Sequence, residues 1–350
     1  MTERMAISYV LPLRTEDNET VAELAAYLKD LASVVEEVLV VDGSSPLALA
    51  DHQSRFSPTV TVVPPQQWTL MGKVGNVMTG VRLAAHDRVI IADDDVRFTA
   101  DQLAHVAAAL DEAEIVRPQN YFDPLPWHAR FDTARTLLNR VTGGDWPGTL
   151  AVRRSFLLRV GGYSGDVLFE NLELVRTVRA AGGRERLLLD LIVRRVPPTA
   201  SHFRGQQVRQ AYDELARPAR LAVFLAVLPA VTWACLTRKE GALAGGAVLV
   251  MAAAEAGRRR AGGSTVFPGS SSVVAPIWLL WRSGCAWCAL GARARGGVRY
   301  RDTRFQRAAT PARELRRRYS SAKRKMGNTP PVELVDEGGE HVGTASVRVQ

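Results

Sequence analysis

The first 110 residues alternate short apolar runs with stretches whose apolar residues recur every three or four positions, and this alternation limits the fold more than any other feature. Residues 6–11, 37–41, 59–63 and 88–92 read as strands, each a short run of β-branched and aliphatic side chains bounded by polar ones. Between them, residues 18–34 place Val21, Leu24, Ala25, Leu28 and Leu31 at helical spacing. Further helices are expected over 46–53, 72–84 and 100–109. Strand and helix in regular turn predict an α/β domain with a mainly parallel sheet covered on both faces. Ligands of such sheets bind beyond the carboxyl ends of the strands. Asp42 ends the second strand and Asp93-Asp94-Asp95 follows the fourth, so these carboxylates belong on that edge.

Nothing in folding asks for the acidic triplet. Adjacent carboxylates repel, and a half-buried one costs free energy unless it is paired or bound to metal. Asp93 and Asp95 are spaced to share a hard cation with a diphosphate, because Mg²⁺ takes one or two carboxylates plus phosphate oxygens. A plainer reading makes the triplet part of a helix start, since Thr99-Ala100-Asp101-Gln102 follows in capping-box order.

Beyond residue 115 the pattern loosens. Residues 127–141 read as an amphipathic helix, 142–148 as a Gly-rich loop carrying Trp146, Gly161-Gly162-Tyr163 as a turn, 171–181 as a helix and 187–193 as a strand. The last third changes character. Residues 219–237 and 241–256 are apolar and close to the length a spanning helix needs, and they read as a membrane hairpin. Buried core helices would give the same pattern. Arg258-Arg259-Arg260 follows the second run, so positive-inside bias is expected to place that end, and the α/β domain, in the cytosol. A third apolar stretch, 273–292, contains Arg282, Trp278, Trp281 and Trp287 and reads as an in-plane or re-entrant interfacial segment.

Charge is concentrated at the end. Residues 293–325 hold 13 Lys or Arg and 2 Asp or Glu, a net of +11 against +9 for the whole chain, so the remainder is slightly acidic. A basic cytosolic tail is expected over 293–327, suited to an anionic membrane surface, with disorder over 328–350. A nucleic-acid partner is not expected, because no recognised module accompanies the charge. The N-terminus has only a strand-length apolar stretch behind it, too short for a signal peptide or anchor. Cys235, Cys285 and Cys288 make no disulfide framework, and the CxxC spacing of the last two lacks a second ligand pair.

Four features now fall in one order: Val41-Asp42-Gly43-Ser44; Gly72-Lys73-Val74-Gly75-Asn76; Asp93-Asp94-Asp95; and Gly161-Gly162-Tyr163 followed by Phe169-Glu170-Asn171. Over residues 1–215 the chain resembles glycosyltransferase family 2, whose GT-A fold is a Rossmann-like sheet domain. The resemblance extends to membrane-attached members, the ceramide glucosyltransferases among them, because Gln206-Gln207-Val208-Arg209-Gln210 is similar to their Gln-x-x-Arg-Trp motif.

That resemblance implies roles. Asp42 would hydrogen-bond the base of a nucleotide-sugar donor, and Lys73 and Asn76 would hold the diphosphate and its loop. Asp93 would contact ribose or metal, Asp95 would bind the divalent cation (Mg²⁺ or Mn²⁺), and Gln206 would join the donor site. Arg209 would assist the leaving diphosphate, and Trp146 would line the acceptor cleft or cap the core. The family's Glu-Asp pair stands here as Glu170-Asn171, and Asn cannot act as a base, so Glu170, or Glu173 one turn on, would take that role. The expected protein is an inverting glycosyltransferase of the cell envelope. It would be a multi-pass protein of the cell membrane, moving a sugar, UDP-linked, to a lipid or lipid-linked acceptor at the cytosolic face. A degenerate membrane scaffold and a processive polysaccharide synthase are the alternatives. Nucleotidyl transfer is disfavoured, because Leu11-Pro12-Leu13-Arg14 lacks a Gly-rich phosphate loop.

Overall fold

A computed structural model describes residues 3–301, 303–327, 333–335 and 341–344. Its first part runs β1 (Met5–Leu13), α1 (Asn18–Leu31), β2 (Val35–Asp42), α2 (Pro46–Arg55), β3 (Thr61–Val63), α3 (Gly72–Leu83) and β4 (Arg88–Ala92), in the expected order. Next come β5 (Val96–Arg97), α4 (Ala100–Glu112), β6 (Ile115–Phe122), α5 (Trp127–Thr142), β7 (Thr149–Arg153), α6 (Arg154–Arg159), α7 (Glu170–Ala180), β8 (Glu185–Arg195) and α8 (Ala200–Tyr212). The eight strands form one sheet of order β3-β2-β1-β4-β7-β6-β8-β5. β1 to β4 pair in parallel, β7 is antiparallel to both neighbours, β6 and β8 are parallel, and β5 closes the edge antiparallel to β8.

β5, β6 and β7 carried no clear sequence signal. Arg117, Pro118 and Gln119 interrupt the apolar run of β6, and the pairing with β8 shifts register there. β7 is a five-residue strand directly behind the Gly-rich loop.

The period-two pleat sends Ile7, Tyr9 and Leu11 to one core with α1 and α4, and Val10 to the other with α3 and α7. Each fully buried aliphatic side chain contributes roughly 1.5–3 kcal/mol. α3 lies unusually close to β1: a Cβ on Gly80 would stand 2.4 Å from Val10 Cγ1. That approach fixes where the first turn of α3 meets the sheet edge. The capping box of α4 is complete in Thr99 and Gln102 alone, so the acidic triplet is not needed to start that helix.

A 3₁₀ turn (Asp213–Ala216) leads into α9 (Pro218–Leu236) and α10 (Glu240–Arg259), both long and apolar enough to cross a membrane by length and composition. Val223, Leu228, Trp233, Leu236, Val248 and Leu249 are exposed along them. Both ends of this hairpin return to the α/β domain. At the far end a Cβ on Gly257 would meet Leu137 O at 1.9 Å, and Arg140 Nε donates to Gly257 O at 3.1 Å. After a second 3₁₀ turn (Arg260–Thr265) and α11 (Gly269–Val273), α12 (Ala275–Ala294) lies beside α9. Pro229 leaves the Leu225 carbonyl without its helical donor, and Trp287 Nε1 supplies one at 3.1 Å.

α12 has two faces. Ile277, Trp281, Trp287 and Leu290 are exposed, whereas Trp278 and Arg282 are fully buried. Arg282 does not reach for a surface. It donates to Gln207 O at 3.3 Å and to Gln210 Oε1 at 3.1 Å on α8.

The stretch expected as a basic tail begins folded. β9 (Val298–Tyr300) and β10 (Thr303–Phe305) make a hairpin with Phe305 buried, and the strap behind it accepts hydrogen bonds from Leu168 N at Arg307 O and from Phe169 N at Ala308 O. α13 (Ala312–Gly327) then packs against α7. The disorder expected over 328–350 falls mostly outside the described residues; its two described pieces, β11 (Glu333–Val335) and β12 (His341–Thr344), pair antiparallel.

Candidate active site

A cleft of about 340 Å³ opens at the carboxyl ends of β1, β2 and β4. Gly43, the first turn of α3, the acidic triplet, Glu170, Arg195 and one face of α8 wall it, and Tyr300 and Arg301 reach it from the β9–β10 hairpin. A second cavity of about 150 Å³ adjoins it, sharing Asp93, Glu170, Arg195, Gln206 and Arg209 and extending to Trp146, Asp213 and Arg282.

The charges of the cleft are held against one another. Lys73 Nζ lies 2.6 Å from Asp93 Oδ1 and donates to Glu170 Oε1 at 2.8 Å, tying α3, the sheet edge and α7 together. Burial opposes the Lys73 charge, but Asp93 and Glu170 outweigh it and hold the ammonium well above the usual lysine range. Arg195 donates from Nε to Asp95 Oδ2 at 2.7 Å, and its Nη2 stands 3.6 Å from Asp93 Oδ2. Register explains its place: Arg195 pairs with Val96, the residue after Asp95. Burial raises the Asp95 carboxyl above its ordinary value, and burial with the Asp95 and Asp93 charges pushes Asp94 up to about 6. Asp94 lines the cleft rather than turning away. Gly148 is required above the triplet, since a Cβ there would stand 2.1 Å from Asp93 Oδ2.

α3 begins on the cleft with the positive end of the helix; Val74 N donates to Met71 O at 2.8 Å and Gly75 N to Thr69 Oγ1 at 3.1 Å, so Gly72 and Lys73 supply the amides nearest a ligand position. Asn76 holds that turn by donating to Leu13 O and Val41 O, at 3.1 and 2.9 Å. Opposite, on α8, Gln206 contacts His202 and Arg209, and the Arg209 guanidinium lies 4.7 Å from the Tyr300 ring centroid. Trp146 lines the second cavity, packed edge-on to Phe169 and under the Arg117 guanidinium.

Two expected site residues stand elsewhere. Asp42 is buried and off the cleft wall; its Oδ1 accepts from Ser44 N at 2.9 Å and its Oδ2 lies 2.6 Å from His52 Nδ1. Its side chain points into the α2 side, and Gly43 takes the wall position. Glu173 is fully buried and accepts from Thr310 N at 2.7 Å, holding the strap to α7. Asn171 is also structural, donating to Pro147 O at 2.8 Å across the Gly-rich loop.

Three of the four oxygens of Asp93 and Asp95 face Lys73 or Arg195. Among the described residues no three His, Cys, Asp or Glu side chains converge as a closed metal site. Asp95 Oδ1, however, is buried with no hydrogen-bond partner, which leaves an acceptor for a hard cation beside Asp93.

Compared with known proteins, residues 8–156 match the family model described as Glycosyl transferase family 2. No curated protein sequence matches the chain. Among solved structures, a mannosyltransferase from Pyrobaculum calidifontis in complex with GDP-Man and Mn²⁺ is similar over 94% of this chain and 82% of that one, at 18% identity and a TM-score of 0.46. The TarS 1-349 structure from S. aureus in complex with UDP-GlcNAc is similar over 57% and 61%, at 17% identity and a TM-score of 0.40. Glucosyl-3-phosphoglycerate synthase from Mycobacterium tuberculosis with Mg²⁺ and UDP covers 56% and 73%, at 17% identity and a TM-score of 0.38.

Proposed function

We propose, from the premise that this chain is a glycosyltransferase with a family 2 domain of GT-A-like fold, that it moves a UDP-linked sugar with inversion to a lipid or lipid-linked hydroxyl at a membrane surface. The observation that carries the donor half is the meeting of Asp93 and Asp95, the N-terminal turn of α3 and Lys73 on one cleft wall. A nucleoside diphosphate answers that arrangement: its phosphates take the helix amides and the Lys73 ammonium, and its cation takes the carboxylates. Asp95 with Asp93 would hold Mg²⁺ or Mn²⁺, which neutralises charge on the departing diphosphate. Arg209, whose guanidinium makes no ion pair among the described residues, is placed to pair with the same leaving group.

The acceptor half rests on surface chemistry. α9, α10 and the outer face of α12 carry exposed aliphatic and Trp side chains, and Arg217 at the start of α9 and Arg282 on the inner face of α12 line the second cavity. An amphiphilic acceptor lying in a bilayer would reach the cavity from that side, with the catalytic domain on the cytosolic face. The hairpin is short for a polymer channel, which favours a single transfer over processive synthesis.

The test is a panel of UDP-glucose, UDP-galactose, UDP-N-acetylglucosamine and GDP-mannose, with a total lipid extract as acceptor. Turnover should appear with Mn²⁺ or Mg²⁺, disappear with chelator, and fall at least 100-fold in Asp95→Asn. Absence of turnover with every donor and both metals would refute the reading.

A further inference from the structure

An inverting transfer needs a base on the acceptor side, and the residue that the sequence points to first, Glu170, is already engaged by Lys73 at 2.8 Å. We propose that Asp213, in the 3₁₀ turn after α8, takes the acceptor's proton; the proposal rests on the glycosyl-transfer reading above. In the step, the acceptor oxygen forms its bond to the anomeric carbon, and the bond to the diphosphate oxygen breaks with its electron pair leaving on the nucleoside diphosphate. The hydroxyl proton passes to the Asp213 carboxylate.

The walls of the second cavity select it. Asp93 is held by Lys73 and Arg195, and Asp145 by Arg135, Thr136 and Asn139. Glu214 is held by Arg217 at 2.8 Å and lies 3.3 Å from Arg220. A carboxylate whose lone pairs face cations is a poor proton acceptor, because each pairing stabilises its charged form. Asp213 alone among these acids makes no hydrogen bond or ion pair among the described residues, and its Oδ1 is buried.

Its surroundings set its basicity. Burial raises the Asp213 carboxyl, Arg209 opposes that rise, Glu170 and Glu214 add to it, and Arg217 opposes it, leaving the group at about 7. Arg135, Arg282 and the paired Asp145 also line the cavity. A base poised near neutrality combines a large ionised fraction with real proton affinity. Asp213 also shares its cavity with Glu170 and Arg209, so an acceptor oxygen there lies between the base and the donor cleft.

The experiment uses the full chain in detergent with the donor that the wild type turns over and total lipid extract. Asp213→Asn should lower kcat by about 10²–10⁴-fold. Its affinity for the free nucleoside diphosphate, read by calorimetry, should stay within twofold of wild type. Wild-type kcat should fall with acidity below about pH 7, a limb that Asp213→Asn loses and Glu170→Gln keeps despite weaker donor binding. An Asp213→Asn enzyme within threefold of wild type, or an acid limb that vanishes in Glu170→Gln instead, overturns the proposal. Should Asp213→Asn lack a cooperative melt, Asp213→Glu decides. A displaced acid limb supports the assignment, and an unmoved one refutes it. A wild type inert with every donor refutes the transfer reading itself, whereas an active wild type with an equally active Asp213→Asn refutes only the base.

Discussion

Between Asp93 and Asp95 lies the Arg195 guanidinium, 2.7 Å from one carboxylate and 3.6 Å from the other. The sequence makes the acids conspicuous because three in a row after an apolar strand have no folding purpose, but beside Lys73 their second counter-charge comes from 100 residues away. It became visible only once β5 paired with β8. That Lys73, Asn76, Asp93, Asp95, Glu170, Gln206 and Arg209 line one cleft could be anticipated because strand ends and helix starts define an edge. That Asp42 and Glu173 turn away from it could not, since a single step of strand pleat or helix phase decides which way a side chain faces. Arg195→Gln should therefore destabilise the fold by about 1–3 kcal/mol at pH 8, less than a fully buried pair because Arg195 is a quarter exposed. The deficit should narrow as pH falls. Asp94, raised to about 6, takes up its proton in the folded state before the unfolded chain does, so acidification through that value relieves the repulsion Arg195 otherwise offsets. Urea melts at pH 8 and pH 5 would measure both values, and an equal deficit at the two would contradict the account.

At the scale of elements, the alternation of strands and helices up to residue 110 was readable because each element buries a regular face. The β9–β10 hairpin was hidden by charge. Composition marks 293–325 as basic, and the same segment supplies Tyr300 and Arg301 to the cleft and a strap to α7. It is anchored at several points: Phe305 is buried, Leu168 N and Phe169 N donate to Arg307 O and Ala308 O, Tyr212 Oη donates to Gln306 O at 2.8 Å, Arg176 Nη1 donates to Thr310 O at 3.1 Å, and Thr310 N donates to buried Glu173. Two truncations separate the parts. Ending the chain after Pro311 removes α13 and should leave nucleoside-diphosphate affinity within threefold of the full chain. Ending it after Gly296 removes the hairpin, exposes the start of α7 and should weaken that affinity at least tenfold by calorimetry. Equal affinities would mean that Tyr300 and Arg301 border the cleft without serving it.

At the scale of the molecule, the proposed membrane attachment would draw on two different forces, and they respond differently to salt. α9 and α10 were legible from length and hydropathy, yet α12 was not, because an apolar helix docked on protein and one lying in lipid have the same composition. Its buried Trp278, Arg282 and Ser283, the last two bonded to α8 and α9, mark the face that meets the rest of the protein. The exposed side chains of the hairpin would act through the hydrophobic effect, which salt does not screen, whereas the basic residues of α13 would act on anionic headgroups over about 8–10 Å at physiological ionic strength. Replacing Val223, Leu236, Val248 and Leu249 with Gln removes the first force at positions that touch little of the protein core. In flotation with vesicles of 30% anionic lipid, the wild type should stay bound at 0.5 M NaCl. The fourfold variant should bind at 0.05 M NaCl and be released at 0.5 M, with its melting temperature unchanged. Release of the wild type by salt would assign the attachment to charge alone and leave the hairpin as a packing element of the fold.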